Sequence, residues 1–216
     1  MKTVAIILAG CGVFDGSEIH EAVLTLLHVT KQGAKYQCFA PDIEQMHTIN
    51  HISGEPMAQT RNVMVESARI ARGEIKPIRE LQVEAFDALI IPGGFGAAKN
   101  LCDFAVKGAA MTVHNEIEAI ARAFALAKKP AGYLCIAPAM IPKIYGAGVK
   151  ATIGTDSDTA TALTAMGAHH IDCKVDDIVI DDEHVVISTP AYMLATNIAQ
   201  ADAGIAKLVN AVLARA

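Results

Sequence analysis

A doubly wound α/β fold, a mostly parallel sheet between two layers of helices in the flavodoxin-like manner, is predicted by three observations on this chain. Short apolar runs alternate with amphipathic stretches of helical length from one end to the other. The apolar runs are near-continuous rather than alternating, the pattern of parallel strands buried on both faces. Three of them end in small-residue turns, Gly10-Cys11-Gly12, Pro92-Gly93-Gly94 and Cys135-Ile136-Ala137, and in such sheets ligands bind outside the carboxyl ends of the strands.

The first strand is read over 2–9, where Val4-Ala5-Ile6-Ile7-Leu8-Ala9 leads into glycines. That run is too short to span a membrane and is followed by a helix pattern, so it reads as a core strand rather than a signal peptide. A helix over 17–31 follows, with Ile19, Val23, Leu26, Leu27 and Thr30 near helical spacing and Gly33 just past its end. A strand over 35–40 stops at Pro41-Asp42, and a short extended piece over 46–50 is closed by Ser53-Gly54. Residues 60–71 read as a helix ending at Gly73, and 74–77 as a brief strand. A strand over 87–91 runs into Pro92-Gly93-Gly94-Phe95-Gly96, and a long helix over 115–127 ends in Lys128-Lys129. Pro130 opens the strand that leads to Cys135, after which the small apolar residues read as a helix start. A helix over 159–166 is stopped by Gly167. Strands over 177–180 and 184–188 flank Asp181-Asp182-Glu183 as a hairpin, and 191–214 closes the chain as one helix.

The 216 residues, without repeats or linker, predict a single domain over 1–216. The net charge of −5 is mild and no basic cluster interleaves with aromatics, which argues against a nucleic-acid partner. Although 52% of residues are apolar, no run reaches membrane-spanning length, so no membrane partner is expected and a cytoplasmic protein is predicted. The five cysteines, Cys11, Cys38, Cys102, Cys135 and Cys173, form no C-x-x-C pair, which argues against a disulfide framework and a zinc ribbon.

Cys135 stands out. A residue between a buried strand and a helix start sits on a tight turn with its side chain pushed into the open, the cysteine form of a nucleophile elbow. Unpaired N–H groups at a helix start favour the thiolate, so a lowered pKa is expected. The Gly10–Glu21 loop brings Glu18 into the first helical turn, where it could point over the sheet edge or simply offset the helix dipole. The adjacent Gly93 and Gly94 leave backbone N–H groups open to a developing negative oxygen. Asn100, beside that turn, is a candidate for the pocket lining.

The stretches 10–21, 49–62, 92–101, 135–143, 152–158 and 189–198 together resemble the ThiJ/PfpI superfamily, whose fold is that of the class I glutamine amidotransferases. Within it they are most similar to the ElbB-type, glyoxalase-like branch associated with lycopene, hence isoprenoid, biosynthesis. By this resemblance Cys135 is the nucleophile, Glu18 its acidic partner, and the amides around Gly93, Gly94 and Ile136 an oxyanion pocket. Residues 49–62 and the Thr189-Pro190-Ala191-Tyr192 loop would wall the site, and a homodimer is implied.

The chain departs from many members in lacking a histidine beside the cysteine. Ile136 follows it, and Ala151-Thr152-Ile153-Gly154-Thr155 offers none later. The one H-x-E, His114-Asn115-Glu116, precedes Cys135, so a glutaminase triad, which must protonate leaving ammonia, is not expected. A cysteine–glutamate pair suits a small dicarbonyl better. The thiolate adds to an aldehyde, the acid moves a proton through an enediol, and water releases a hydroxy acid, with no metal or other cofactor. The resemblance thus implies a weak glyoxalase converting glyoxal to glycolate. A redox sensor or metabolite-binding protein using the same cysteine is the alternative. A nucleotide-binding reading of Gly10-x-Gly12 is opposed by Asp15 at the third glycine position.

Overall fold

The computed structural model describes all of residues 1–216. The chain runs β1 (Thr3–Ile7), α1 (Ile19–Lys31), β2 (Lys35–Ala40), α2 (Val63–Ile70), β3 (Ile75–Pro77) and β4 (Ala88–Ile91). It continues through α3 (Phe95–Lys99), α4 (Phe104–Lys107), α5 (Asn115–Leu126), β5 (Ala131–Leu134), α6 (Ile141–Tyr145), β6 (Lys150–Ala151) and α7 (Ser157–Ala165). The last elements are β7 (His169–His170), β8 (Val179–Asp181), β9 (Val186–Thr189) and α8 (Ile198–Arg215). Seven strands form one sheet in the order β3-β2-β1-β4-β5-β9-β8, parallel throughout except for β8, which returns antiparallel beside β9. The predicted three-layer α/β architecture is the observed one.

Strand pleating divides the apolar side chains between the two faces. Ala5, Ile7, Leu89, Ile91, Ala131 and Tyr133 join one core cluster, with Ile117, Ala121 and Phe124 of α5. Val4, Ile6, Ala88, Ile90 and Leu134 join the other, with Ala22 and Val29 of α1 and Ile205, Leu208 and Val212 of α8. Phe124 is fully buried, and a side chain of that size contributes about 1.5–3 kcal/mol by leaving water. Helix α8 lies so close to β5 that a Cβ on Gly132 would stand 2.7 Å from Leu208 Cδ2.

Several local expectations are corrected. Residues 46–50, expected as a short extended piece, join no sheet; isolated bridges, Glu44 with Asn62 and Ile49 with Pro56, pair residues in and beside that region. The closing helix is broken: Ala191–Met193 is a short 3-10 turn, and α8 starts afresh after Asn197, whose side chain accepts from the Gln200 N–H. The main-chain φ of +44° at Ala191 bends the chain out of any continuous helix. The apolar spacing on α1 also selects the wrong inner face. Ile19, Val23 and Leu27 are exposed, whereas Glu21, Ala22, Leu24, Thr25 and Val29 are buried. Helix α1 is anchored by the Glu18 N–H to Gly93 O bond at 3.0 Å and flanked by α8, and these contacts set its rotation. Helices α3 and α4 and the small β6–β7 ladder have no counterpart in the sequence reading.

Candidate active site

Cys135 leaves β5 at φ +59°, the left-handed region that a residue with a Cβ enters only under strain of about 1–3 kcal/mol. The neighbouring strand holds it there: the Cys135 N–H donates to Thr189 O at 3.0 Å. Ile136 then turns into a 3-10 segment, Ala137–Met140, that feeds the five-residue helix α6. The elbow geometry is therefore present, but the regular helix predicted directly behind the cysteine is not.

The glycine turn after β4 closes over this elbow. An ideal Cβ on Gly93 would stand 2.5 Å from Cys135 Cβ and 2.8 Å from Glu21 Oε2, so only glycine lets the two loops meet. Gly94, at φ +90°, would drive a Cβ to within 2.3 Å of Glu18 N. The amides of Gly94 and Ile136 face the Cys135 sulfur and favour its charged form. The amide of Gly93 does not: it donates to Glu21 Oε2 at 2.9 Å, which removes Gly93 from the expected oxyanion pocket.

The acid beside the thiol is Glu21, not Glu18. Glu18 is the N-cap of α1, and its Oε2 accepts from the Glu21 N–H at 2.7 Å, offsetting one orphan donor of the helix start. Glu21, one turn further in, is fully buried. Its Oε2 accepts from Gly93, its Oε1 accepts from Tyr192 N–H at 3.1 Å, and its carboxyl interacts with the Cys135 thiol. Burial raises this carboxyl from 4.5 to about 7; the Tyr192 amide pulls it down, and the charge of Glu18 pushes it further up. The same burial pushes the Cys135 thiol well above its ordinary range, with the Glu21 charge adding to the rise.

These directions correct two expectations for the cysteine. Cys135 is only 7% exposed, and it is a neutral thiol at rest rather than a standing thiolate. A short 3-10 turn carries too little dipole to offset desolvation, and no cationic side chain is among the main influences on the thiol.

Asn100 is also displaced from its expected role. Its Nδ2 donates to Ala9 O at 2.9 Å and Asp15 O at 3.0 Å, and its Oδ1 accepts from Met46 N–H at 3.0 Å. It ties the β1 loop to the segment after β2 and does not line the Cys135 cavity. Residues 49–62 pack instead on the first loop, where Ile49 N–H donates to the buried Asp15 Oδ2 at 2.7 Å. That bond occupies the carboxylate which opposed a phosphate-binding reading of the loop. Tyr192 does reach the site. Its hydroxyl lies 2.7 Å from His20 Nδ1 at the mouth.

Around the cysteine lies a cavity of about 410 Å³, walled chiefly by Val13, Phe95, Phe104, Ile136, Tyr192 and Met193. No histidine and no charged side chain lines it, so a proton must be carried by the Cys135–Glu21 pair itself. No cluster of side chains suited to a metal ion is present. No helix is long and apolar enough to cross a membrane.

Glu21 is not legible from the sequence because the apolar stripe of α1 marks a different face of the helix as buried. Glu21 lies three positions after Glu18 and one turn before Thr25, and both Glu21 and Thr25 are buried, but the polar strip they form carries no local signal that it is the inner face.

A cysteine elbow at the carboxyl edge of a parallel sheet, with an acid supplied by the first helix, places the chain in the class of amidotransferase-like α/β proteins. Solved proteins of the DJ-1/ThiJ/PfpI type share this fold. No family model matches the chain. It is 44% identical over 220 residues to the human glutamine amidotransferase-like class 1 domain-containing protein 3, covering 97% of this chain and 82% of that one. It superposes on the crystal structure of an isoprenoid biosynthesis protein with an amidotransferase-like domain from Ehrlichia chaffeensis with a TM-score of 0.93, at 38% identity over 100% of this chain and 99% of the other. The chain belongs to this family of glutamine amidotransferase-like class 1 domain proteins, which includes the ES1 proteins. Glyoxalase III from Candida albicans shares the fold alone, with a TM-score of 0.61 at 14% identity over 98% of this chain and 97% of the other.

The comparison overturns the cytoplasmic expectation. The rat, human and zebrafish relatives are mitochondrial proteins, which points away from the cytoplasm. Composition reports the physics of the folded domain, and that physics is the same in either compartment.

Proposed function

We propose that this chain is a cofactor-independent glyoxalase that converts glyoxal to glycolate, with Cys135 as nucleophile and Glu21 as proton carrier. The observation that carries the reading is the buried Glu21 carboxyl, raised to about 7 and set against the Cys135 thiol. A group half-protonated near neutrality can both take and return a proton.

The steps balance with glyoxal and water alone. As the sulfur bonds to one aldehyde carbon, the thiol proton passes to the Glu21 carboxylate. Glu21 returns that proton to the carbonyl oxygen, giving a neutral hemithioacetal. The amides of Gly94 and Ile136 stabilise negative charge as it moves from sulfur toward that oxygen. Glu21 then removes the proton from the sulfur-bearing carbon. The electron pair forms an enediolate, Glu21 returns that proton to the second carbon, and the hydroxyl proton passes from the first oxygen to the second, leaving a hydroxyacyl thioester on Cys135. Water, deprotonated by Glu21, attacks the thioester. The C–S bond breaks, and the sulfur regains its proton as glycolate leaves. No amine departs, so the absence of a histidine is no obstacle.

A neutral thiol at rest also suits this chemistry better than redox sensing, because oxidation by peroxide draws on a standing thiolate whereas addition needs one only at the moment of attack. The glyoxalase III fold neighbour lends support at the level of architecture. We extend to this chain the association with isoprenoid biosynthesis carried by the Ehrlichia relative. Proton NMR of purified protein incubated with glyoxal tests the reading. Glycolate must form with the native chain and not with Cys135→Ser. Peroxide modification of Cys135 without any glycolate would sink it and leave a sensor.

A further inference from the structure

We infer that the Cys135 cavity is built for a 2-oxoaldehyde carrying an uncharged apolar chain, and that glyoxal is its smallest and poorest fit. The inference rests on the glyoxalase reading above and names the substrate class of the same site. The cavity of about 410 Å³ falls within the range of roughly 300–1,000 Å³ typical of sites for larger organic ligands. Glyoxal is two carbonyl groups and nothing else, and would leave most of that space to water.

The lining argues in the same direction. Val13, Phe95, Phe104, Ile136 and Met193 present hydrocarbon, aromatic and thioether surface to the space that the sulfur opens into. Phe95 is 48% exposed at the rim, so an apolar chain laid against it would remove that ring from water. Tyr192 and Thr159 bring the side-chain hydroxyls, and that of Tyr192 is already engaged with His20. No lysine, arginine or aspartate lines the space, and the one carboxyl close to it, Glu21, is buried against the Cys135 thiol, which argues against recognition of a phosphate or carboxylate tail. Two larger surface depressions, of about 580 and 480 Å³, include charged side chains such as Lys2 and Asp103, and neither reaches Cys135.

The chemistry is that of glyoxal with one hydrogen replaced by an alkyl or aryl group. Sulfur bonds to the terminal aldehyde carbon, Glu21 carries the proton from that carbon to the neighbouring one, and water cleaves the thioester. One oxoaldehyde and one water become one 2-hydroxy acid, with no outside oxidant or reductant. The substituent takes no part in bond making, so its contribution is binding alone.

The test is a homologous series from glyoxal and methylglyoxal through straight-chain 2-oxoaldehydes to 2-oxooctanal, with each kcat/KM divided by the rate at which a free thiol adds to the same compound. Burial of each methylene is expected to raise the normalised value about fourfold until the cavity is full. Binding is read separately on the Cys135→Ala protein, as the thermal shift produced by neutral methyl ketones from butanone to 2-octanone, and is expected to rise with chain length. Glyoxal turnover with no dependence on chain length in either measurement would overturn this inference and leave the glyoxalase reading intact. Ketone binding that rises with chain length while no oxoaldehyde is consumed would sustain the apolar pocket and sink the glyoxalase reading. Phe104→Gln, which puts an amide into the wall, is expected to flatten both dependences, and unchanged slopes would count against the assigned lining.

Discussion

Replacing Glu21 by glutamine separates the acid's proton from its shape. In the folded chain the carboxyl is raised from 4.5 to about 7, so the native state holds this proton more tightly than the unfolded chain does. The favourable contribution of the protonated group is complete below about 4.5 and is lost as pH rises through about 7, where a buried charge replaces it. A difference of that size corresponds to about 3 kcal/mol of stability lost by the native chain across this window. Glu21→Gln cannot ionise and is expected to lose that pH dependence. Its amide NH₂ must, however, confront either the Gly93 or the Tyr192 N–H, both of which now donate to carboxylate oxygens. Leaving one donor unpaired costs about 1–3 kcal/mol. Above pH 8 the two effects largely cancel, and below pH 5 the variant is the less stable. Urea melts of both proteins at half-unit intervals from pH 4.5 to 8.5 measure the difference. For turnover, loss of a general acid–base group lowers kcat by about 10²–10⁴. Parallel stability profiles, or full glyoxal turnover in Glu21→Gln, would refute the assignment of the shared proton to this residue.

Three further outcomes follow from the same geometry. Glu18→Gln removes a charge that raises Glu21 but leaves the thiol's own contact in place; it should move the acidic limb of the pH–rate profile downward, with a smaller fall in kcat than Glu21→Gln, and an equal fall would return Glu18 to the chemistry. Alkylation of Cys135 by iodoacetamide, followed by peptide mass spectrometry, should keep accelerating above pH 9, because burial pushes the thiol up; a plateau below pH 7 would show a standing thiolate instead. Gly93→Ala sets a methyl against Cys135 Cβ and Leu134 O and is expected to destabilise by about 1–3 kcal/mol in thermal melts while abolishing turnover; a variant that melts and reacts like the native chain would disprove the close approach of the two loops.

Much of the fold was legible because strand burial is written locally. The run from Ala88 to Ile91 is apolar on both faces, and it proved to be a central strand between β1 and β5. The strand over Lys35–Ala40 was read to its end residues, because Gly33 and Pro41 punctuate it. Short helices were not legible. Helix α3 contains glycine and follows a glycine turn, and its formation depends on contacts such as Gly96 N–H to Gly16 O rather than on its own propensity. The break near Ala191 likewise follows from the Tyr192 amide reaching Glu21 across the sheet edge, a contact that helical periodicity does not encode.

For the site, local chemistry sufficed to place a cysteine on a bend after a buried strand and to set glycines opposite it, since close backbone approach admits no other residue. It did not suffice to say which of two glutamates three positions apart turns inward, or whether the sulfur rests with its proton. Those depend on how α1 is rotated by its anchor at Gly93 and by α8, and on how much water the assembled layers exclude. Desolvation acts through everything packed around a group, most of it distant in the chain, and so the protonation of Cys135 and Glu21 was decided only when the layers closed.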